Sequence, residues 1–149
     1  MNGKRILVVD DDETIVESFK KLLKTNGYFV ETALSGSEAL EKTEKEFYDL
    51  ALLDIKLPDM KGTELLAEIH EERPRMMKIM VTGHASLDNA VKALNLGADA
   101  YLKKPVNPEE LLRVVAEKLK KQDDAEKLNE EKVGEWIEDR IKKLESKRE

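Results

Sequence analysis

Along this chain, short unbroken apolar runs alternate with longer stretches whose apolar residues recur every three or four positions. Ile6-Leu7-Val8-Val9 is such a run, and it predicts a strand over Lys4 to Val9 that is buried on both faces. From Glu13 to Thr25 the residues Ile15, Phe19, Leu22 and Leu23 share one helical face, and Asn26-Gly27 is a C-terminal stop. Tyr28 to Ala33, rich in aromatic and β-branched residues, predicts a second strand; Ser35-Gly36-Ser37 opens a helix through Lys45 that carries Ala39 and Leu40 inward. Leu50 to Leu53 is the central strand, followed by a helix over Thr63 to Glu72 with Leu65, Leu66 and Ile69 as its stripe, ended by Arg73-Pro74. Met76 to Val81 is a fourth strand, ending on Thr82-Gly83. Ser86 caps a helix with Leu87, Ala90, Val91 and Leu94 on one face, stopped by Gly97. Ala100 to Lys103 is a fifth strand, and Asn107-Pro108-Glu109-Glu110 starts a helix with the stripe Leu111, Leu112, Val115 and Leu119.

Strands alternating with helices of this length predict an α/β fold: a doubly wound five-stranded parallel sheet with right-handed crossovers and helices on both faces. After Lys121 the composition shifts, so the chain divides into a domain over residues 1–121 and a charge-dense C-terminal helical extension over 122–149. In the extension Val133, Trp136, Ile137, Ile141 and Leu144 fall at helical spacing, while Gly134 weakens the helix. A stripe this apolar either packs back on the domain or pairs with a second chain.

Composition narrows the function classes. A formal net charge of -6 across 149 residues argues against a nucleic-acid-binding surface, which needs a basic face. Zero cysteines exclude disulfides and thiolate metal sites and fit a reducing cytosol, so the expected location is cytoplasmic. Met1 to Arg5 leads directly into a strand, and no apolar run approaches the length of a membrane span; neither a leader nor an anchor is expected.

The chemistry gathers where strands stop. The first strand runs into Asp10-Asp11-Asp12, and the central one into Asp54 and a loop containing Pro58 and Gly62. Open parallel sheets place their ligands beyond the carboxyl ends of strands. Clustered carboxylates repel, so one must hold a proton or the group must gain a cation. A hard ion with oxygen ligands, Mg²⁺ in the first place with Mn²⁺ as its substitute, meets that need. Asp54 could then accept a phosphoryl group as a carboxylate nucleophile. A hydroxyl and an ammonium to hold phosphoryl oxygens are at hand, since Thr82 ends the fourth strand and Lys104 follows the fifth.

The set Ile6-Leu7-Val8-Val9-Asp10-Asp11, Leu53-Asp54 with Pro58 and Gly62, Val81-Thr82-Gly83 and Tyr101-Leu102-Lys103-Lys104-Pro105 resembles the CheY-like receiver domain of two-component response regulators. The resemblance covers about Lys4 to Lys121. It implies a flavodoxin-like strand order 2-1-3-4-5. It implies Asp54 as the phosphoacceptor, Mg²⁺ held by Asp10, Asp11, Asp54 and the main-chain carbonyl of Lys56, and Thr82 and Lys104 on phosphoryl oxygens. It further implies a cis peptide at Lys104-Pro105 and Tyr101 as a switch aromatic that turns inward when Thr82 moves toward the phosphate. The resemblance also puts Lys56 and His84 at positions whose residue types, in that family, tune how long the phosphoryl group survives. The implied partner is a sensor histidine kinase or phosphotransfer protein. The face of the fourth helix, fifth strand and fifth helix would report the change, and homodimerisation through that face or through the C-terminal helix is a further expectation. No nucleic acid or membrane is expected to bind this chain, and the resemblance implies no turnover of an outside substrate.

One rival reading comes from enzyme chemistry. Asp10-Asp11-Asp12-Glu13-Thr14 satisfies the D-x-D-x-T signature of haloacid-dehalogenase-like phosphohydrolases, with Asp10 as nucleophile. It lacks the acidic pair of a later strand end and leaves Asp54 without a role. His70, among Glu68, Glu71 and Glu72, reads as a surface residue. A third reading, an interaction module that no longer takes a phosphoryl group, gives no reason for an acid at Asp54.

Overall fold

The computed structural model describes residues 3–148, which divide into two compact units, one ending at Leu119 and one beginning at Lys120. The first is built from β1 (Arg5–Val9), α1 (Glu13–Thr25), β2 (Phe29–Ala33), α2 (Gly36–Lys45), β3 (Leu50–Leu53), α3 (Gly62–Glu72), β4 (Met77–Thr82), α4 (Leu87–Asn95), β5 (Ala100–Lys103) and the start of α5 (Pro108–Arg148). All four strand pairings are parallel, in the order β2-β1-β3-β4-β5. That is the flavodoxin-like order the resemblance implied.

Alternation along the strands divides the core into two layers. Ile6, Val8, Leu50, Leu52, Ile79 and Val81 face the side covered by α1 and α5, where Val16, Leu23, Leu111, Val115 and Leu119 close over them. Leu7, Val9, Ala51, Leu53 and Met80 face the other side, against Ala39 of α2, Leu65, Leu66 and Ile69 of α3, and Ala93 of α4. Every residue of β3 is buried, as a continuous apolar run predicts. Each of its leucines contributes roughly 1.5–3 kcal/mol on leaving water.

Helices α2 and α4 begin where their serines predict, and α1 gains a cap the sequence reading did not name. The Asp12 carboxylate accepts from the backbone N–H of Thr14 and Ile15, Ser35 caps α2 and Ser86 caps α4. The fourth strand is displaced by one residue from its expected bounds. The Met76 N–H bonds the Arg73 carbonyl and so closes the preceding turn, whereas the Thr82 carbonyl accepts from Lys104 N–H and extends the sheet.

The apolar face expected on α4 forms but does not enter the core. Leu87, Val91 and Leu94 are exposed, Leu87 at 80%, and the buried residue of this helix is Ala93. Periodicity identifies a face without saying which direction it points. A second surprise is Lys78 in the middle of β4, 1% exposed. Its ammonium meets Nδ1 of His70 at 3.0 Å, and burial depresses its pKa, partly offset by Asp99. His70 is exposed as expected, but it has this buried partner.

The unit over 120–149 is helical through Arg148. Among the described residues no helix is long and apolar enough to cross a membrane.

Candidate functional site

Backbone hydrogen bonds between neighbouring strand ends fix the carboxylates in place. Asp10 N–H donates to the Ala33 carbonyl at 3.1 Å, tying the end of β1 to β2. Asp54 N–H donates to the Val9 carbonyl at 3.1 Å, and Lys104 N–H to the Thr82 carbonyl at 2.9 Å. Parallel register thereby carries residues 10, 54, 82 and 104, far apart in sequence, to one edge of the sheet.

Carboxylate oxygens of Asp10, Asp11 and Asp54 lie within 4.8 Å of one another, with Asp10 and Asp54 buried and Asp11 exposed. The Lys104 ammonium sits between the two buried acids, bonded to Asp10 Oδ2 and, at 3.2 Å, to Asp54 Oδ2. Burial pulls the Lys104 pKa down, yet the two carboxylates outweigh it and hold the ammonium above its usual value. Burial also raises Asp10 above the ordinary carboxylate range, against the lowering effects of Lys104 and the Asp12 N–H. This group is therefore short of positive charge: one lysine serves two buried carboxylates, and a third acid stands beside them. Oxygen donors gathered this closely, two of them fixed by the fold, suit a hard divalent ion.

The remaining residues surround this centre. Thr82 is fully buried, and its Oγ1 accepts from His84 N–H at 3.0 Å. Lys56 N–H approaches Asp54 Oδ1 at 3.5 Å. Lys56 and His84 both line an open groove of about 620 Å³ between the loop after β3 and the start of α4. Lys104-Pro105 is cis. Tyr101 is half-buried among the residues packed on the second core layer, its hydroxyl enclosed and without a hydrogen-bond partner.

Two supports go beyond the sequence reading, which placed Gly62 in the loop without a packing role and gave Asp59 none. Gly62 brings α3 so close to the end of β3 that a Cβ there would lie 1.8 Å from the Asp54 carbonyl oxygen. Asp59 accepts from Gly36 N–H and Ser37 N–H, each at 2.8 Å, which pins the loop after β3 to the start of α2 and lowers the Asp59 pKa. An acid in a Pro/Gly loop carries no sequence mark of such a long-range cap. The D-x-D-x-T reading meets an obstacle in the same geometry, because Asp12, its second acid, caps α1 with its carboxylate.

A family model described as the response regulator receiver domain matches residues 6–116. A receiver domain protein from Methanospirillum hungatei is 58% identical with a TM-score of 0.81, covering 82% of this chain and 98% of that one. The response regulator TrrA from Thermotoga maritima, solved with Mg²⁺ and a beryllium fluoride, is 36% identical with a TM-score of 0.71, over 77% of this chain and 98% of that one. The alginate biosynthesis regulator AlgB of Pseudomonas putida is 37% identical over 118 residues, 79% of this chain, and the chain spans only 26% of that protein's length. The chain belongs to the response regulator receiver domain family of two-component systems.

Proposed function

We propose that residues 1–121 act as a phosphorylation switch in the cytoplasm, with Asp54 as the acceptor, and that residues 122–149 are an appended helical extension. The observation that carries this reading is the meeting of Asp54 with Lys104 and Asp10 at one sheet edge. An Asp54 carboxylate oxygen attacks the phosphorus of a phosphohistidine on a sensor kinase or phosphotransfer protein. A P–O bond forms, the P–N bond breaks, and its electron pair leaves with the imidazole. Hydrolysis reverses the charge: water attacks phosphorus, the aspartyl P–O bond breaks, and Asp54 returns as a carboxylate with inorganic phosphate released.

This chain's side chains supply positioning and charge. The Lys104 ammonium, 3.2 Å from Asp54 Oδ2, is placed to pair with a phosphoryl oxygen. Thr82 Oγ1 already accepts from His84 N–H, so its own hydrogen is left to donate to another oxygen. Asp10, Asp11, Asp54 and the Lys56 carbonyl would hold Mg²⁺. When bound, that ion supplies positive charge to the carboxylates and the incoming phosphoryl oxygens. Lys56 and His84, on the groove beside the acceptor, control the approach of water and so the lifetime of the phosphoryl group. Movement of Thr82 toward the phosphate makes room for Tyr101, and the exposed Leu87, Val91 and Leu94 belong to the face that reports the change.

Intact mass after incubation with Mg²⁺ and acetyl phosphate tests the reading. A phosphoryl adduct on the wild type and none on Asp54→Asn supports it. An adduct retained by Asp54→Asn, or none on either protein together with phosphate release that needs Asp10, overturns it.

A further inference from the structure

The unit over residues 120–149 exposes an apolar face of its own. Val133, Trp136, Ile137, Ile141 and Leu144 are all about half exposed or more, and Arg140 stacks its guanidinium over the Trp136 ring at 5.6 Å. Most helical stability comes from packing an amphipathic face, and a face with five large apolar side chains gains that stability when covered.

On a heptad frame, the inward positions along this stretch are Glu130, Val133, Ile137, Arg140, Leu144 and Lys147. Their charges are arranged unevenly: an acid at the N-terminal end, apolar residues in the middle, and bases toward the C-terminal end. This order decides which occupant fits. A parallel pair would set Glu130, Arg140 and Lys147 each against its own copy, three like-charge contacts at inward positions. An antiparallel pair centred between Glu138 and Asp139 sets Glu130 opposite Lys147, Val133 opposite Leu144, and Ile137 opposite Arg140 of the other copy. Arg140 then lies over Ile137 of the other copy while it stays on Trp136 of its own helix, where its charge meets an aromatic face instead of another arginine.

We infer that two copies of this chain associate through antiparallel pairing of this C-terminal helix, with the face from Glu130 to Lys147 covering itself. The association needs no phosphoryl group, so it stands apart from the switch proposed above.

The chain has no cysteine, so introduced thiols report orientation without background. In the antiparallel pair, position 130 of one copy lies beside 147 of the other, while the two 130 positions are about 25 Å apart along the axis. Sedimentation of the full chain across a concentration series should show a monomer–dimer equilibrium. Ile137→Glu with Ile141→Glu should raise its dissociation constant by more than about tenfold, and Asp54→Asn should leave it unchanged. Under oxidation, the double variant Glu130→Cys/Lys147→Cys should form covalent dimers, and Glu130→Cys alone should not. A monomer at every concentration overturns the inference. So does a dimer that survives the Ile137/Ile141 substitutions, or one that cross-links through Glu130→Cys alone. The cross-linking pattern needs no change in the apolar face, so it decides the question even if the glutamate variant loses helix.

Discussion

Gly62→Ala tests whether Asp54, the proposed acceptor, depends on a close backbone approach that the sequence does not announce. The added methyl would lie 1.8 Å from the Asp54 carbonyl oxygen and 2.7 Å from both Asp54 C and Ile55 Cα. These are main-chain atoms, so no rotamer change relieves the overlap. Ordinary contact distances of about 3.5 Å require the start of α3 and the end of β3 to part by roughly 1.5 Å. That parting breaks the Gly62 N–H bond to the Ile55 carbonyl and the bridge between Lys56 and Lys61. Overpacking costs about 1–3 kcal/mol, and the lost hydrogen bond adds about 1 kcal/mol, so we expect a loss of about 3 kcal/mol. The acceptor suffers separately, because about 1 Å of misplacement lowers a rate by about 10²-fold. Urea unfolding measures the first effect, and the initial rate of adduct formation with acetyl phosphate measures the second. A G62A protein within about 0.5 kcal/mol of wild type, accepting phosphoryl at the wild-type rate, would refute the reasoning.

Gly134→Ala supplies the opposite sign, since nothing lies within 4 Å of its would-be Cβ and the site is inside a helix; helix content should rise on heating curves by up to about 1 kcal/mol in stability. Asp10→Asn bears on pH: burial raises the Asp10 pKa, so in metal-free buffer wild-type stability is full below the ordinary carboxylate value and is lost as pH rises through the folded value. The variant should lose that slope and melt higher at neutral pH, and denaturation midpoints taken with a chelator at several pH values check it. Tyr101→Phe removes an enclosed hydroxyl that has no partner, so stability should hold or rise by about 1 kcal/mol in urea unfolding. Lys78→Met replaces a buried ammonium whose pKa burial depresses; it should stabilise the fold at neutral pH and flatten the stability change seen in wild type at alkaline pH, as the lysine sheds its proton.

The sequence by itself determined the element order, the parallel class and which residues stand at the strand ends. An unbroken apolar run such as Leu50 to Leu53 has only one stable environment, between two layers of helices. The acids that follow such runs are carried by the sheet to one edge whatever else the chain does. The helix starts at Ser35 and Ser86 were equally local and equally legible, whereas Asp12 was read only as part of an acid cluster and proved to cap α1. Tertiary structure decided what depends on distant neighbours. The direction of the α4 face followed from which helix side met Leu96, Ala98 and the sheet, so Leu87 stayed outside and Ala93 went in. Lys78 could be buried because His70 and Asp99, both remote in sequence, stand beside it. Asp59 became a cap for a helix more than twenty residues away, and Gly62 became indispensable only where α3 met the Asp54 backbone. Periodicity reports which residues share a face; only packing assigns each face and each charge its partner.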